Sequence, residues 1–165
     1  MSCITYFASN EKLENRENPY VLLLSMNEAR ERNIELKEDF IEGIDPTKKD
    51  VIYYAIDENK LGYPNIYSFH KEMYNEDIGT KQKYCVCLEI GEMIKEYLQV
   101  VYNYIVEQWK GKDSTSFVLE LWNVWLGDFD IPMKVKMTTC HLKELTLDKL
   151  EGFLNSEDVC VRIVN

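Results

Sequence analysis

The fold is decided by residues 83–141, which read KYCVCLEIGEMIKEYLQVVYNYIVEQWKGKDSTSFVLELWNVWLGDFDIPMKVKMTTCH. Large apolar side chains occupy every second position of residues 83–90, at Tyr84, Val86, Leu88 and Ile90, and this two-residue period predicts a strand. In residues 92–110, apolar side chains recur at three- and four-residue steps with polar residues between them, which predicts a long amphipathic helix. Its apolar positions are Ile94, Tyr97, Leu98, Val101, Tyr104, Ile105 and Trp109. The strand and the helix together predict one side of a hydrophobic core.

The segment that follows the helix predicts the centre of the sheet. Residues 115–126 are apolar on both faces, as in a strand that other elements cover on each side. A turn at 127–132 and a strand at 133–141 predict a hairpin with it. Trp122 is expected to pack between the helix and another layer of the fold.

The flanking segments add further strands and shorter helices. Ser25, with Glu28 three residues later, has the spacing of a capping box and predicts a short helix. A further turn is expected around residues 38–41, and Thr146 predicts the start of a last helix. Four more strands are predicted, at residues 3–8, 20–24, 51–56 and 159–163. The strand at 20–24 is expected to be buried on both faces. The order of these strands and helices along the chain predicts an α+β fold, in which two to three helices pack on a mixed or mainly antiparallel sheet. We expect residues 1–165 to form a single domain.

The composition limits the classes of partner. The formal net charge is −10 and the sequence pI is about 4.7. A negative field of this kind repels nucleic acid and anionic membranes and attracts basic partners, so neither nucleic acid nor membrane is expected as a partner. The five cysteines lie in apolar runs without C-x-x-C spacing, which indicates a reduced protein. The first residues lack a signal-peptide pattern, so a cytoplasmic location is expected.

Two acidic residues in the predicted turn suggest one candidate site. Asp128 and Asp130 lie one residue apart, and their carboxylates could bind Mg²⁺ or Ca²⁺ if further carboxylates joined them. The alternative is an ordinary turn, in which Gly127, the aspartates and Pro132 shape the backbone. The sequence supplies no visible further ligands, and it holds no glycine-rich phosphate loop. No metal and no cofactor are therefore predicted.

The Cys140-His141 pair suggests a thiol nucleophile, because an imidazole can lower the pKa of a thiol. Adjacent strand residues point to opposite faces, however, so these two side chains are expected to diverge. A zinc site that adds Cys85 and Cys87 is the other possibility. Its C-x-C spacing is a poor match to known zinc sites.

Aromatic residues suggest a binding surface instead. The segment 57–80 is interrupted by glycine, proline and asparagine, and it has room for one short element near residues 66–69. Tyrosine is favoured at interfaces because it buries a large area and keeps a polar group. The candidate binding residues are Tyr63, Tyr67, Phe69, His70 and Tyr74.

Part of the chain resembles a family of small acidic bacterial proteins without an established activity. The likeness rests on the first strand, which ends in Phe7-Ala8-Ser9-Asn10, on the Glu96-Tyr97-Leu98 helix, and on the strand that runs from Trp122 to Asp128. It implies a fold and no activity. In size, charge and α+β composition the chain also resembles bacterial immunity proteins, which neutralise toxins. That second likeness is one of type, and no motif carries it.

These observations lead to three hypotheses. The first is a non-enzymatic, acidic protein-binding module whose partner is a basic protein such as a toxin. The second is a small hydrolase that uses Asp128, Asp130 and His141, or Cys140. The third is a protein that self-associates as a homodimer through edge strands at residues 3–8 or 159–164.

Overall fold

The computed structural model describes residues 2–36, 43–49, 51–68, 79–126 and 134–165. The described residues form three α-helices and eight strands, so the α+β prediction is confirmed. Contacts divide the chain into two compact units. Unit 1 contains residues 1–17 and 64–165, and unit 2 contains residues 18–63.

Unit 1 is built on a six-stranded mixed sheet, whose strand order is β4-β5-β1-β6-β8-β7. Only the pairing of β7 with β8 is parallel among the described strands. The strands are β1 (Ser2–Ser9), β4 (Asn65–Ser68), β5 (Tyr84–Glu89), β6 (Leu119–Leu126), β7 (Lys136–His141) and β8 (Val159–Val164). The helices of this unit are α2 (Lys95–Gln108) and α3 (Leu147–Leu154), and a 3-10 turn covers Leu142–Glu144.

Unit 2 contains the two-stranded antiparallel sheet of β2 (Val21–Leu24) and β3 (Ile52–Ala55). Helix α1 (Met26–Glu31) follows β2, and a 3-10 turn covers Glu58–Lys60. Ser25 and Glu28 form the predicted capping box: the Ser25 hydroxyl accepts from the Glu28 N–H, and the Glu28 carboxylate accepts from the Ser25 N–H. Local sequence alone therefore sets the start of α1. The predicted turn at 38–41 lies outside the described residues.

The two faces of the large sheet are buried in different ways. One face packs with α2 and α3 in the larger cluster, which includes Phe7, Val86, Val101, Leu121, Leu150 and Val161. The opposite face forms a second cluster of buried residues: Ile4, Tyr6, Ala8, Cys87, Trp122, Val124 and Cys160. Trp122 is buried, as expected for a core residue, but its cluster contains no α2 side chain. The prediction that Trp122 contacts the helix was wrong, because residues alternate between the two faces along a strand.

Two predictions about strand pairing and one about burial were also wrong. Strands β6 and β7 do not form a hairpin, because β8 lies between them and pairs with both. Strands β1 and β8 are not sheet edges, since each has a neighbour on both sides, so self-association cannot use those strands. Strand β2 is not buried on both faces, because the Leu23 side chain is 49% exposed.

Candidate functional site

The two described aromatic binding candidates belong to different units of the chain. Tyr63 belongs to unit 2, where its ring packs edge-on against Tyr20 with the centroids 5.2 Å apart. Tyr67 belongs to unit 1 and lies on β4, the short element expected in this segment. Phe69, His70 and Tyr74 lie outside the described residues. Of the two candidates that the structure describes, Tyr67 is the one whose surroundings define a site.

The site is formed where β4 pairs with β5. In that register Asn65 lies opposite Glu89, and Tyr67 lies opposite Cys87. The Tyr67 hydroxyl donates to Oε1 of Glu89 at 2.7 Å, and Nδ2 of Asn65 lies 3.2 Å from Oε2. We call Asn65, Tyr67 and Glu89 the Glu89 patch. Both oxygens of an exposed carboxylate are thus held by neighbouring side chains.

Burial and the neighbouring groups hold Tyr67 in its protonated form. Partial burial of the ring raises the pKa of Tyr67, and its hydrogen bonds to Cys87 and Glu89 raise it further. Burial also raises the pKa of the Cys87 thiol, although the hydrogen bond to Tyr67 opposes this shift. At neutral pH, Tyr67 therefore remains a hydrogen-bond donor, and the Glu89 side chain accepts from it.

This arrangement suits recognition of a cation. A carboxylate that accepts one hydrogen bond on each oxygen still has free lone pairs for a Lys or Arg side chain. Because its rotamer is already fixed, less side-chain entropy is lost when a partner binds. The pairing of β4 with β5 sets the positions of the three residues of the patch relative to one another.

A second acidic residue, Glu120 on β6, is buried and was missed in the sequence analysis. Its carboxylate accepts from Arg162 at 2.8 Å, from Trp122 Nε1 at 3.0 Å and from Thr80 at 3.0 Å. Gln82 Nε2 lies 3.3 Å away. Burial raises the pKa of Glu120, but these four hydrogen bonds outweigh it and lower the pKa overall. The carboxylate is engaged within the fold, so its role is structural.

We call Glu120 and its four donors the Glu120 cluster. The segment before β5 packs closely on it. Gly79 has a φ of +83°, and a Cβ atom there would lie 2.8 Å from the Trp122 ring. Glycine is required at this position for both its backbone conformation and its lack of a side chain. One signal in the sequence could have revealed the cluster: Glu120 and Arg162 are each the only charged residue of a mainly apolar strand.

The cysteine and histidine residues do not converge. Cys140 is buried in the cluster beneath the helices, whereas His141 is exposed. Burial raises the pKa of the Cys140 thiol, which opposes thiolate formation. Cys85 and Cys87 lie with the second cluster, on the opposite face of the sheet from Cys140. The structure thus contradicts a four-ligand site made of these residues.

Asp128 and Asp130 lie outside the described residues. Within the described ranges, no group of three or more His, Cys, Asp or Glu side chains is placed to hold a metal ion. Among the described residues, no helix is both long enough and apolar enough to cross a membrane. Comparisons of the chain with protein-family models, with curated proteins and with solved structures find no match.

Proposed function

We propose that this protein is a non-enzymatic binding module that engages a basic protein through the Glu89 patch. A cationic toxin is one partner of this kind, which the bound module would neutralise. The observation that carries the proposal is the exposed Glu89 carboxylate, which Tyr67 and Asn65 hold in one orientation.

The charge of the whole chain supports the same proposal. The sequence holds 29 acidic residues and 19 Lys and Arg residues. In the described part, ion pairs join Arg16 to Glu107, Lys112 to Glu11 and Arg162 to Glu120. Each ion pair contains one acidic and one basic residue. Because the acidic residues outnumber the basic ones, these pairs leave the net charge negative. Such a field raises the association rate of a basic partner.

The buried acid shows, by contrast, why Glu89 is the better candidate. Glu120 is buried, and its carboxylate already has four donors within the fold. Glu89 is exposed, and its two donors are neutral. An added cation would therefore gain a charge-assisted hydrogen bond without displacing an existing ion pair.

The test compares variants in capture of partners from an extract of the source cells. Glu89→Gln removes the charge, and Tyr67→Phe removes the hydroxyl but keeps the ring. We expect Glu89→Gln to weaken binding of a basic partner by about tenfold or more, the size of a charged hydrogen bond, and Tyr67→Phe to weaken it by about threefold.

Glu144→Gln is the matched control, since Glu144 is an exposed acid on the 3-10 turn after β7. The control makes the net charge less negative by the same amount and should leave binding almost unchanged. Equal losses in Glu89→Gln and Glu144→Gln would show that only total charge matters. That result would exclude the Glu89 patch as the binding site.

A further inference from the structure

Exposed large apolar side chains are concentrated in unit 2. Within the described residues, seven such side chains are exposed, and five of them lie in this unit: Leu23, Tyr53, Tyr54, Ile56 and Leu61. Single exposed apolar residues are common on protein surfaces, but a concentration of them in one small unit indicates an interaction surface.

The register of the small sheet places two of these side chains side by side. Leu23 on β2 lies directly opposite Tyr53 on β3, and Val21 lies opposite Ala55 on the same face. Leu23 is 49% exposed and Tyr53 is 59% exposed. We call these four residues the β2–β3 face. An isolated two-stranded sheet is only marginally stable in water, so a surface that covers this face would stabilise it.

Charges in the same unit determine which partner fits. Residues 18–63 contain ten acidic and six basic side chains. Asp57 and the exposed Glu58 lie two and three residues after the end of β3, between the exposed Ile56 and Leu61 in sequence. An apolar centre beside acidic residues is complementary to a segment that combines apolar and basic side chains.

We infer that the β2–β3 face docks a basic amphipathic segment of a partner protein. A second copy of this chain is a poorer occupant, because each copy carries a net charge of −10 and the two would repel each other. The inference goes beyond the Glu89 patch, since it rests on different residues in the other unit.

The probe for this surface is a synthetic helix-forming peptide of Leu and Lys, labelled for fluorescence anisotropy. A peptide with Glu in place of Lys is the charge control. The Lys peptide should bind the wild-type protein, and the Glu peptide should not. Leu23→Thr and Tyr53→Thr keep a residue suited to a strand, and each should weaken binding by about tenfold.

Met137→Thr is the matched variant, because Met137 is also on a strand and is 53% exposed, but in unit 1. It should change the dissociation constant by less than about twofold. Circular dichroism shows whether each variant is folded. If the strand variants unfold, Glu58→Lys replaces them in the test, since Glu58 is exposed and lies outside both strands. It should weaken binding of the Lys peptide.

Four results would overturn the inference: no binding of the Lys peptide, equal binding of both peptides, binding that Leu23→Thr and Tyr53→Thr leave unchanged, or a dimer in light scattering that Leu23→Thr dissociates. Binding of the peptide that only Glu89→Gln weakens would place it on the Glu89 patch. That outcome would overturn the inference and leave the proposed function intact.

Discussion

Glu120 on β6 and Arg162 on β8 are register partners, and Nη2 of Arg162 lies 2.8 Å from Oε1 of Glu120. The two side chains differ sharply in exposure, at 3% for Glu120 and 47% for Arg162. The pair therefore brings a buried carboxylate to the edge of solvent, while Thr80 and Trp122 satisfy its other oxygen. The cluster joins β6, β8 and the segment before β5.

Loss of this carboxylate should destabilise the fold. Glu120→Ala leaves Trp122 Nε1 and Thr80 without their acceptor and removes the partner of Arg162. We expect the free energy of unfolding to fall by about 2–4 kcal/mol, because buried donors lose a charged acceptor while the half-exposed Arg162 can still be solvated. Urea denaturation measures this change. Glu144→Ala, at an exposed acid, should shift it by less than about 0.5 kcal/mol, and equal effects of the two variants would contradict the structural role of Glu120.

The same carboxylate should make stability depend on pH. The hydrogen bonds lower the pKa of Glu120 below its ordinary value of 4.5, despite burial, which raises it. The stabilisation is therefore present above the pKa of the unfolded chain and is lost as the pH falls through the folded-state pKa. Urea denaturation from about pH 7 down to about pH 3 should show a steeper loss in the wild type than in Glu120→Gln.

Other carboxylates with lowered pKa values, those of Glu28, Asp45 and Asp113, are present in both proteins. Their contributions should cancel in the comparison. Parallel pH profiles for the wild type and Glu120→Gln would refute the assignment to Glu120.

Two buried tryptophans should respond differently to the loss of their indole N–H. Trp122 donates to Glu120 at 3.0 Å, whereas Nε1 of Trp109 has no hydrogen-bond partner among the described residues. Trp109→Phe keeps a ring for edge-on packing against Phe117. We expect Trp122→Phe to be costlier by about 1–3 kcal/mol, because it leaves a buried carboxylate with one donor fewer. Chemical denaturation measures the free energy of unfolding of both variants. A larger loss for Trp109→Phe than for Trp122→Phe would contradict the prediction.

The sequence predicts those features that depend on neighbouring residues. The capping box of α1 and the three-to-four-residue period of α2 are local, so both helices could be located from them, although α2 begins at Lys95 rather than at residue 92. The strand predicted at 115–126 begins at Leu119, because Asp113 accepts from Thr115 and Ser116 and holds a turn before it.

Pairing between distant segments could not be predicted in the same way. Because only a short turn separates β6 from β7 in sequence, the two strands were predicted to pair. Strand β8, at the end of the chain, lies between them instead. Both the Glu89 patch and the Glu120 cluster depend on such pairings. Tyr67 was named as a candidate from its residue type, whereas its partner Glu89 is revealed only by the register of β4 with β5.

The most direct measurement of the proposed function is capture of a partner by the immobilised wild-type protein. An extract of the source cells is applied at about 50 mM NaCl, and retained proteins are eluted with salt up to about 500 mM, where the Debye length is well below 10 Å. We predict that a protein of net positive charge is retained at low salt and released as the salt rises. Retention of no basic protein at low salt, or retention that salt does not change, would contradict the proposal.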